Sequence, residues 1–226
     1  MRPTERIKEA QRVLEAEARA IFASSKKISL NFSKCIDLII DCKGTVVISG
    51  IGKSGNIGKK ITSTLASLGT PSIFLHTSDA FHGDLGILRK DDLLICISNS
   101  GETDELVRLL NYAKRNGIKS IAITGNVNST ISKEASISLN SSVESEACPL
   151  NLAPTSSTSM SMIIGDCIAI ALLELRGFES KQFKNFHPGG NLGKDLQKVS
   201  EIMHVGNSLP LAKENDKMSK TLITMT

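Results

Sequence analysis

The chain reads as an α/β protein built on a doubly wound parallel sheet, and three observations point there. Short, nearly continuous apolar runs begin near Thr45, Ser72, Leu93, Ser120 and Ser136. A helical pattern separates the runs, and strands that are apolar on both faces need helices above and below them. Two of the runs end in turns rich in glycine or hydroxyl groups that open a helix, and ligands bind at such carboxyl ends where the strand order reverses.

The elements follow in order. Pro3 to about Phe22 is an amphipathic helix with Ile7, Leu14, Ala18, Ile21 and Phe22 on its apolar side. Phe32 to Ile40 is a second helix, closed by Gly44. The strand Thr45-Val46-Val47-Ile48-Ser49 runs into Gly50-Ile51-Gly52-Lys53-Ser54-Gly55-Asn56-Ile57-Gly58 and a helix that stops at Gly69. Leu93-Leu94-Ile95-Cys96-Ile97 runs into Ser98-Asn99-Ser100-Gly101-Glu102-Thr103, then a helix to Asn116 with Gly117 behind it. Thr155-Ser156-Ser157-Thr158 should cap an apolar helix that ends at Gly177. Its apolar stretch, Met160 to Leu175, is shorter than a membrane span and interrupted by Asp166, so it reads as a buried helix. The tail from Val199 is too short to bury a core by itself.

Both turns suit a phosphate. The first turn of a helix leaves backbone N–H groups without intrahelical partners, and the helix dipole places partial positive charge there. Ser98, Ser100 and Thr103 add hydroxyl donors, and Gly101 lets the backbone approach closely. The structural alternative is an N-cap, with Ser100 capping a helix that begins near Glu102. At the upstream turn a P-loop would need glycine where Val47 stands, inside the strand. Gly50, Gly52 and Gly55 have dinucleotide spacing, but the next strand, Pro71 to His76, carries no acidic residue for a ribose. A glycine turn presenting Lys53 and Ser54 to a small phosphorylated molecule remains.

Composition agrees with a globular enzyme: 226 residues, 40% hydrophobic, net charge +4. Charge that mild, with aromatics at 4%, offers nothing for nucleic acid, and no membrane partner is expected. There are five cysteines and no C-x-x-C pair, and most of them sit in apolar surroundings, so they read as small core residues in a reducing compartment. The N-terminus lacks the apolar stretch of a signal peptide, so the expectation is cytoplasmic. The four histidines, His76, His82, His187 and His204, show no zinc-ligand spacing. No cofactor is expected, and a zinc ion held by His82 and His187 would inhibit.

The motifs Gly52-Lys53-Ser54-Gly55, Ala80-Phe81-His82-Gly83-Asp84-Leu85-Gly86, Ile97 to Glu102, Glu146-Ala147-Cys148-Pro149-Leu150, Leu152 to Thr158 and His187-Pro188-Gly189-Gly190 occur in one order. In this the chain resembles the D-arabinose-5-phosphate isomerases, which carry a sugar isomerase (SIS) domain. The resemblance runs from about Lys43 to Leu196. It implies a five-stranded flavodoxin-like domain over residues 1–196, with helices over 1–44, and a homotetramer with shared active sites. It also implies interconversion of D-ribulose 5-phosphate and D-arabinose 5-phosphate for synthesis of the lipopolysaccharide sugar Kdo. Val199-Ser200-Glu201-Ile202-Met203 resembles the start of a CBS repeat, so residues 197–226 read as an incomplete stub of one.

Aldose–ketose isomerisation passes through a cis-enediol and needs an anchor, a base and a group that stabilises the enediolate. The resemblance implies Lys53, Glu105, Glu146 and His187 as the catalytic set. Glu146 and His187 are the candidates for proton transfer. Lys53 would stabilise the enediolate or the phosphate, and Glu105, near the helix start, would at least complement the dipole. Substrate would be held by Gly52, Ser54, His82, Ser98, Asn99, Ser100, Thr103, Thr155 and Ser156. Two other readings share the fold: a non-catalytic module that senses a sugar phosphate, and a sugar-phosphate enzyme of another reaction class.

Overall fold

A computed structural model describes residues 1–187, 199–209 and 211–225. The Pro188-Gly189-Gly190 motif therefore lies outside the described residues. The chain divides into two units, Met1–Glu179 and Ser180–Thr226, a boundary upstream of the expected 196/197 division.

The first unit opens with α1 (Pro3–Ser25) and α2 (Leu30–Asp41). Then β1 (Val46–Gly50), α3 (Gly52–Ser67), β2 (Ser72–Phe74), α4 (Thr77–Phe81), β3 (Leu93–Ser98), α5 (Asp104–Arg115), β4 (Lys119–Thr124), α6 (Thr130–Glu134) and β5 (Ile137–Asn140) alternate as expected. A loop leads to α7 (Ser156–Leu175). The five strands lie in the order β2-β1-β3-β4-β5, all parallel. In that doubly wound order the chain reverses direction across the sheet between β1 and β3.

The strand period of two sorts the core into two layers. Val46, Ile48, Leu93, Ile95, Ile97, Ile121 and Ile123 share one cluster with Ile39 of α2, Ile61 of α3 and Ile164 and Ile168 of α7. Their neighbours Val47, Leu94, Cys96 and Ala122 share the other with Leu106, Leu109 and Leu110 of α5 and Ile131 of α6. The first turn of α3 and that of α5 thus come to the same end of the sheet from opposite faces.

The apolar helix expected to be buried does lie in the core, although it is longer than its apolar stretch suggested. The helix starting at Ser156 is 20 residues long and apolar enough to cross a membrane by length and composition. Its Met160, Ile164, Ile168 and Leu172 nonetheless sit in the core, and Asp166 forms an ion pair with Lys60 of α3. It crosses α3 closely: a Cβ on Gly165 would lie 2.4 Å from Ile61 Cγ1.

The expectation that changes is that for α1. The apolar side expected for it points outward, with Ile7 59%, Leu14 71% and Phe22 73% exposed. Its inward contacts are polar. Ser24 Oγ donates to Ser142 O at 3.0 Å, Arg12 donates to Ala147 O at 2.7 Å, and Glu17 accepts from Ser159 Oγ at 2.7 Å. The helical period marked an apolar stripe without saying what covers it. Of the cysteines, Cys35 and Cys96 are buried, and burial pushes both thiols up to about 12. Cys42 and Cys148 are half-buried, and Cys167 is exposed.

In the second unit, α8 (Ser180–Phe186) is followed directly by His187, and α9 (Val199–Ile202) and α10 (Met218–Met225) are short.

Candidate active site

Gly50 of β1 pairs with Ile97 of β3, so the two turns that follow these strands lie side by side. In the downstream turn the helix starts at Asp104 with Thr103 in the cap position, later than the start near Glu102 that a Ser100 cap required. Ser98 is the internal post of this turn. It is buried, its Oγ accepts from Gly101 N at 3.1 Å and it shares a hydrogen bond with Thr103 Oγ1 at 3.0 Å. Ser100 and Asn99 are the exposed members. Gly101 adopts φ +70°, where a side chain is strained, and a Cβ there would meet Ser129 Oγ at 2.0 Å. Glu102 ties the turn down from the far side, accepting from Thr130 N at 2.9 Å and Thr130 Oγ1 at 2.6 Å.

Upstream, Gly52 opens α3 and places Lys53 and Ser54 in its first turn, which contains no acidic residue. Positive charge at that end is therefore not neutralised locally.

The start of α7 closes the third side. Thr155 holds the cap position, but its hydroxyl does not bond back into the helix. It accepts from Ala147 N at 2.9 Å and donates to Glu146. The cap is the Glu146 carboxylate, which reaches the helix from the preceding loop. One oxygen accepts from Thr155 N at 2.7 Å, Thr155 Oγ1 at 3.1 Å and Ser157 N at 3.2 Å, and the other accepts from Ser157 Oγ. Burial pushes this carboxyl upward. The hydrogen bonds from Ser157 and Thr155 outweigh it and hold the group below the usual carboxylate range.

These three starts surround a cavity of about 250 Å³. Lys53 and Ser54 line it from α3, Asn99 from the β3 turn, and Ser157, Thr158 and Ser161 from α7, with Ile51, Ile57 and Pro154 as its apolar side. Of the expected residues, Lys53, Ser54 and Asn99 meet in it, and Ser98, Ser100 and Thr103 build the adjoining turn. Thr155 and Ser156 do not line it. Ser156 is buried, and its Oγ has no hydrogen-bond partner among the described residues. Ser157, Thr158 and Ser161 take their place, a set missed in the sequence although their spacing of one and then three residues marks one helical face. Glu105 is exposed in the first turn of α5 and His82 follows α4, both outside the cavity lining.

His187 belongs to the second unit. Its Nδ1 lies 2.9 Å from Phe183 O, and its ring stacks on Phe183 with centroids 3.9 Å apart. A carbonyl only accepts, so Nδ1 carries the proton and Nε2 is the basic nitrogen. Among the described residues, no group of three or more His, Cys, Asp or Glu is placed to hold a metal ion.

Residues 38–171 match the SIS domain family. Arabinose 5-phosphate isomerase KdsD of Pseudomonas aeruginosa is 48% identical over 221 residues, covering 97% of this chain and 68% of that protein. Arabinose 5-phosphate isomerase KpsF of Escherichia coli is 45% identical over 219 residues, covering 96% of this chain and 66% of that one. Among solved structures, an Escherichia coli protein in complex with arabinose 5-phosphate superposes with a TM-score of 0.80 at 38% identity, over 83% of this chain and all 100% of that one. The chain spans about two-thirds of the length of these two curated relatives.

Proposed function

Because the chain belongs to the SIS-domain family and, within it, to the arabinose 5-phosphate isomerases, we propose that it interconverts D-ribulose 5-phosphate and D-arabinose 5-phosphate. The observation that carries this reading is the meeting of the Ser98–Thr103 turn, Lys53 and the start of α7 around one small cavity at the reversal point of the sheet. At about 250 Å³ it lies below the ~300–1,000 Å³ typical of drug-sized ligands, which suits a five-carbon sugar. The turn holds the phosphate, remote from the reacting carbons, so that its binding energy orients C1 and C2. A base takes the proton from C2 of the aldose, the cis-enediol forms, and the proton returns at C1. Lys53 offers charge to the enediolate oxygen, and His187 moves the proton. Glu105 complements the α5 dipole. The product is a precursor of Kdo, and the free cysteines and phosphorylated substrate agree with a cytoplasmic setting.

The test is direct. With ribulose 5-phosphate as the only substrate, carbon NMR of the equilibrated mixture should show arabinose 5-phosphate. Ribose 5-phosphate, or unchanged ketose, refutes the assignment.

The reading extends to assembly. Ile7, Leu14 and Phe22 on α1 and Ile170 and Leu175 on α7 leave apolar side chains in solvent on a single chain, and exposed apolar patches mark interfaces. We read them as covered in a homotetramer whose neighbouring subunits lend His187 and His82 to each site. Specific activity should then fall on dilution together with the sedimenting mass. Full activity in a strict monomer overturns the shared site. The segment after residue 197 is read as the opening of a CBS repeat.

A further inference from the structure

Glu146 stands in a network of hydrogen bonds that ties both oxygens of its carboxylate to the start of α7. All four contacts to it come from the first turn of α7, two from backbone N–H groups and two from hydroxyls. Its own N–H donates to Asn151 Oδ1 at 2.8 Å, and the next residue is held twice more, Ala147 N to Thr155 Oγ1 at 2.9 Å and Ala147 O from Arg12 at 2.7 Å. The network continues toward the cavity. Thr158 Oγ1 donates to Thr155 O at 2.8 Å, and Ser161 Oγ donates to Ser157 O at 3.0 Å. Ser157, Thr158 and Ser161 line the cavity, whereas Glu146 does not.

We propose that Glu146 is a positioning residue rather than the base of the reaction: it fixes Thr155 and Ser157, and through them the hydroxyl wall that α7 presents to the substrate. Three arguments favour this over proton transfer. A proton on Oε2 must compete with the three donors already there, and one on Oε1 with Ser157 Oγ. A carboxylate anchored by backbone N–H groups is a weak base by the usual Brønsted relation. The carboxylate also places negative charge on the α7 dipole, so the substrate phosphate is directed away from α7 and toward the β3 turn. One helix start is thereby reserved for sugar hydroxyls and another for the phosphate. The proposal rests on the isomerase reading for the identity of the sugar phosphate, but its structural half does not.

Two variants and two measurements test it. Glu146→Gln presents an amide to donors that need an acceptor, and Thr155→Val removes one of those donors without touching the carboxylate. Amide hydrogen exchange of the segment from Thr155 to Ser161 should speed up about tenfold or more in Glu146→Gln, a readout that needs no ligand and holds even if the substrate assignment is wrong. Titration with D-arabinose 5-phosphate should show binding weakened about tenfold in both variants, equivalent to ~1.4 kcal/mol. At saturation both should keep exchanging the C2 proton with solvent. Unchanged amide exchange in Glu146→Gln, or wild-type binding by Thr155→Val, overturns the proposal. So does loss of C2 exchange by more than about a hundredfold in Glu146→Gln alone, the signature of a missing base. Absence of any turnover by the unmodified protein would defeat the isomerase reading and leave the amide-exchange result standing.

Discussion

Replacing His187 by Asn should lower kcat by roughly two to four orders of magnitude, the usual worth of general acid–base catalysis. Asparagine keeps a side chain that can hydrogen-bond but cannot take a proton at neutral pH, so the variant separates holding from proton transfer. Its local setting favours the assignment. The Phe183 carbonyl 2.9 Å from Nδ1 fixes which nitrogen carries the proton, and stacking on the Phe183 ring fixes the plane of the imidazole. A histidine oriented in this way presents Nε2 as base and, once protonated, as acid, and imidazole does both near neutral pH. The decisive measurement is deuterium uptake at C2 of D-arabinose 5-phosphate in deuterated water. His187→Asn should lose this exchange in proportion to its loss of turnover, with sedimenting mass unchanged. Exchange at the rate of the unmodified protein would remove His187 from the proton step and leave ring opening as its remaining part.

Much of this was legible in the residues because it follows from short-range rules. A strand apolar on both faces reads as parallel and buried, and all five appear within a residue of where the pattern starts them. Gly69, Gly117 and Gly177 end their helices with positive φ, as a terminal glycine should. The turns that follow β1 and β3 were legible as turns for the same reason: Gly52-Lys53-Ser54 and Ser98 to Thr103 are contiguous segments at strand ends that open helices.

What was not legible depends on contacts between distant segments. Thr155 looked like a helix cap because it is a threonine at a helix start. The residue that makes the cap lies nine positions earlier, and no local rule pairs Glu146 with Ser157. The same contact changes the reading of Glu146 itself, since a glutamate in a loop looks like a free acid until its four donors are placed around it. The apolar stripe of α1 failed differently: its period was read correctly, but Ile7, Leu14 and Phe22 are exposed among the described residues. Asp166 was legible as a charge interrupting a buried apolar helix, but its partner was not: Lys60 of α3 is the counter-charge.

Lys53→Met should cut kcat by about two to three orders of magnitude, the range seen when a group that stabilises an oxyanion is removed, with KM changed no more than about threefold. The argument starts from placement. Lys53 occupies the first turn of a helix with no acidic residue there, lines the cavity, and makes no ion pair among the described residues. Its charge is therefore available to a ligand rather than neutralised within the protein. On the proposed reading the β3 turn holds the phosphate, which leaves for Lys53 the enediolate oxygen, whose charge develops in the transition state. An interaction made only there changes kcat and leaves ground-state binding nearly alone. Methionine keeps an unbranched apolar stem and removes the charge, and the exposed position of Lys53 means that Tm should not move. Lys53→Arg should recover only part of the rate, because a planar guanidinium does not reproduce a compact ammonium at one oxygen. A rise in KM of tenfold or more with kcat intact would move Lys53 from the enediolate to the phosphate.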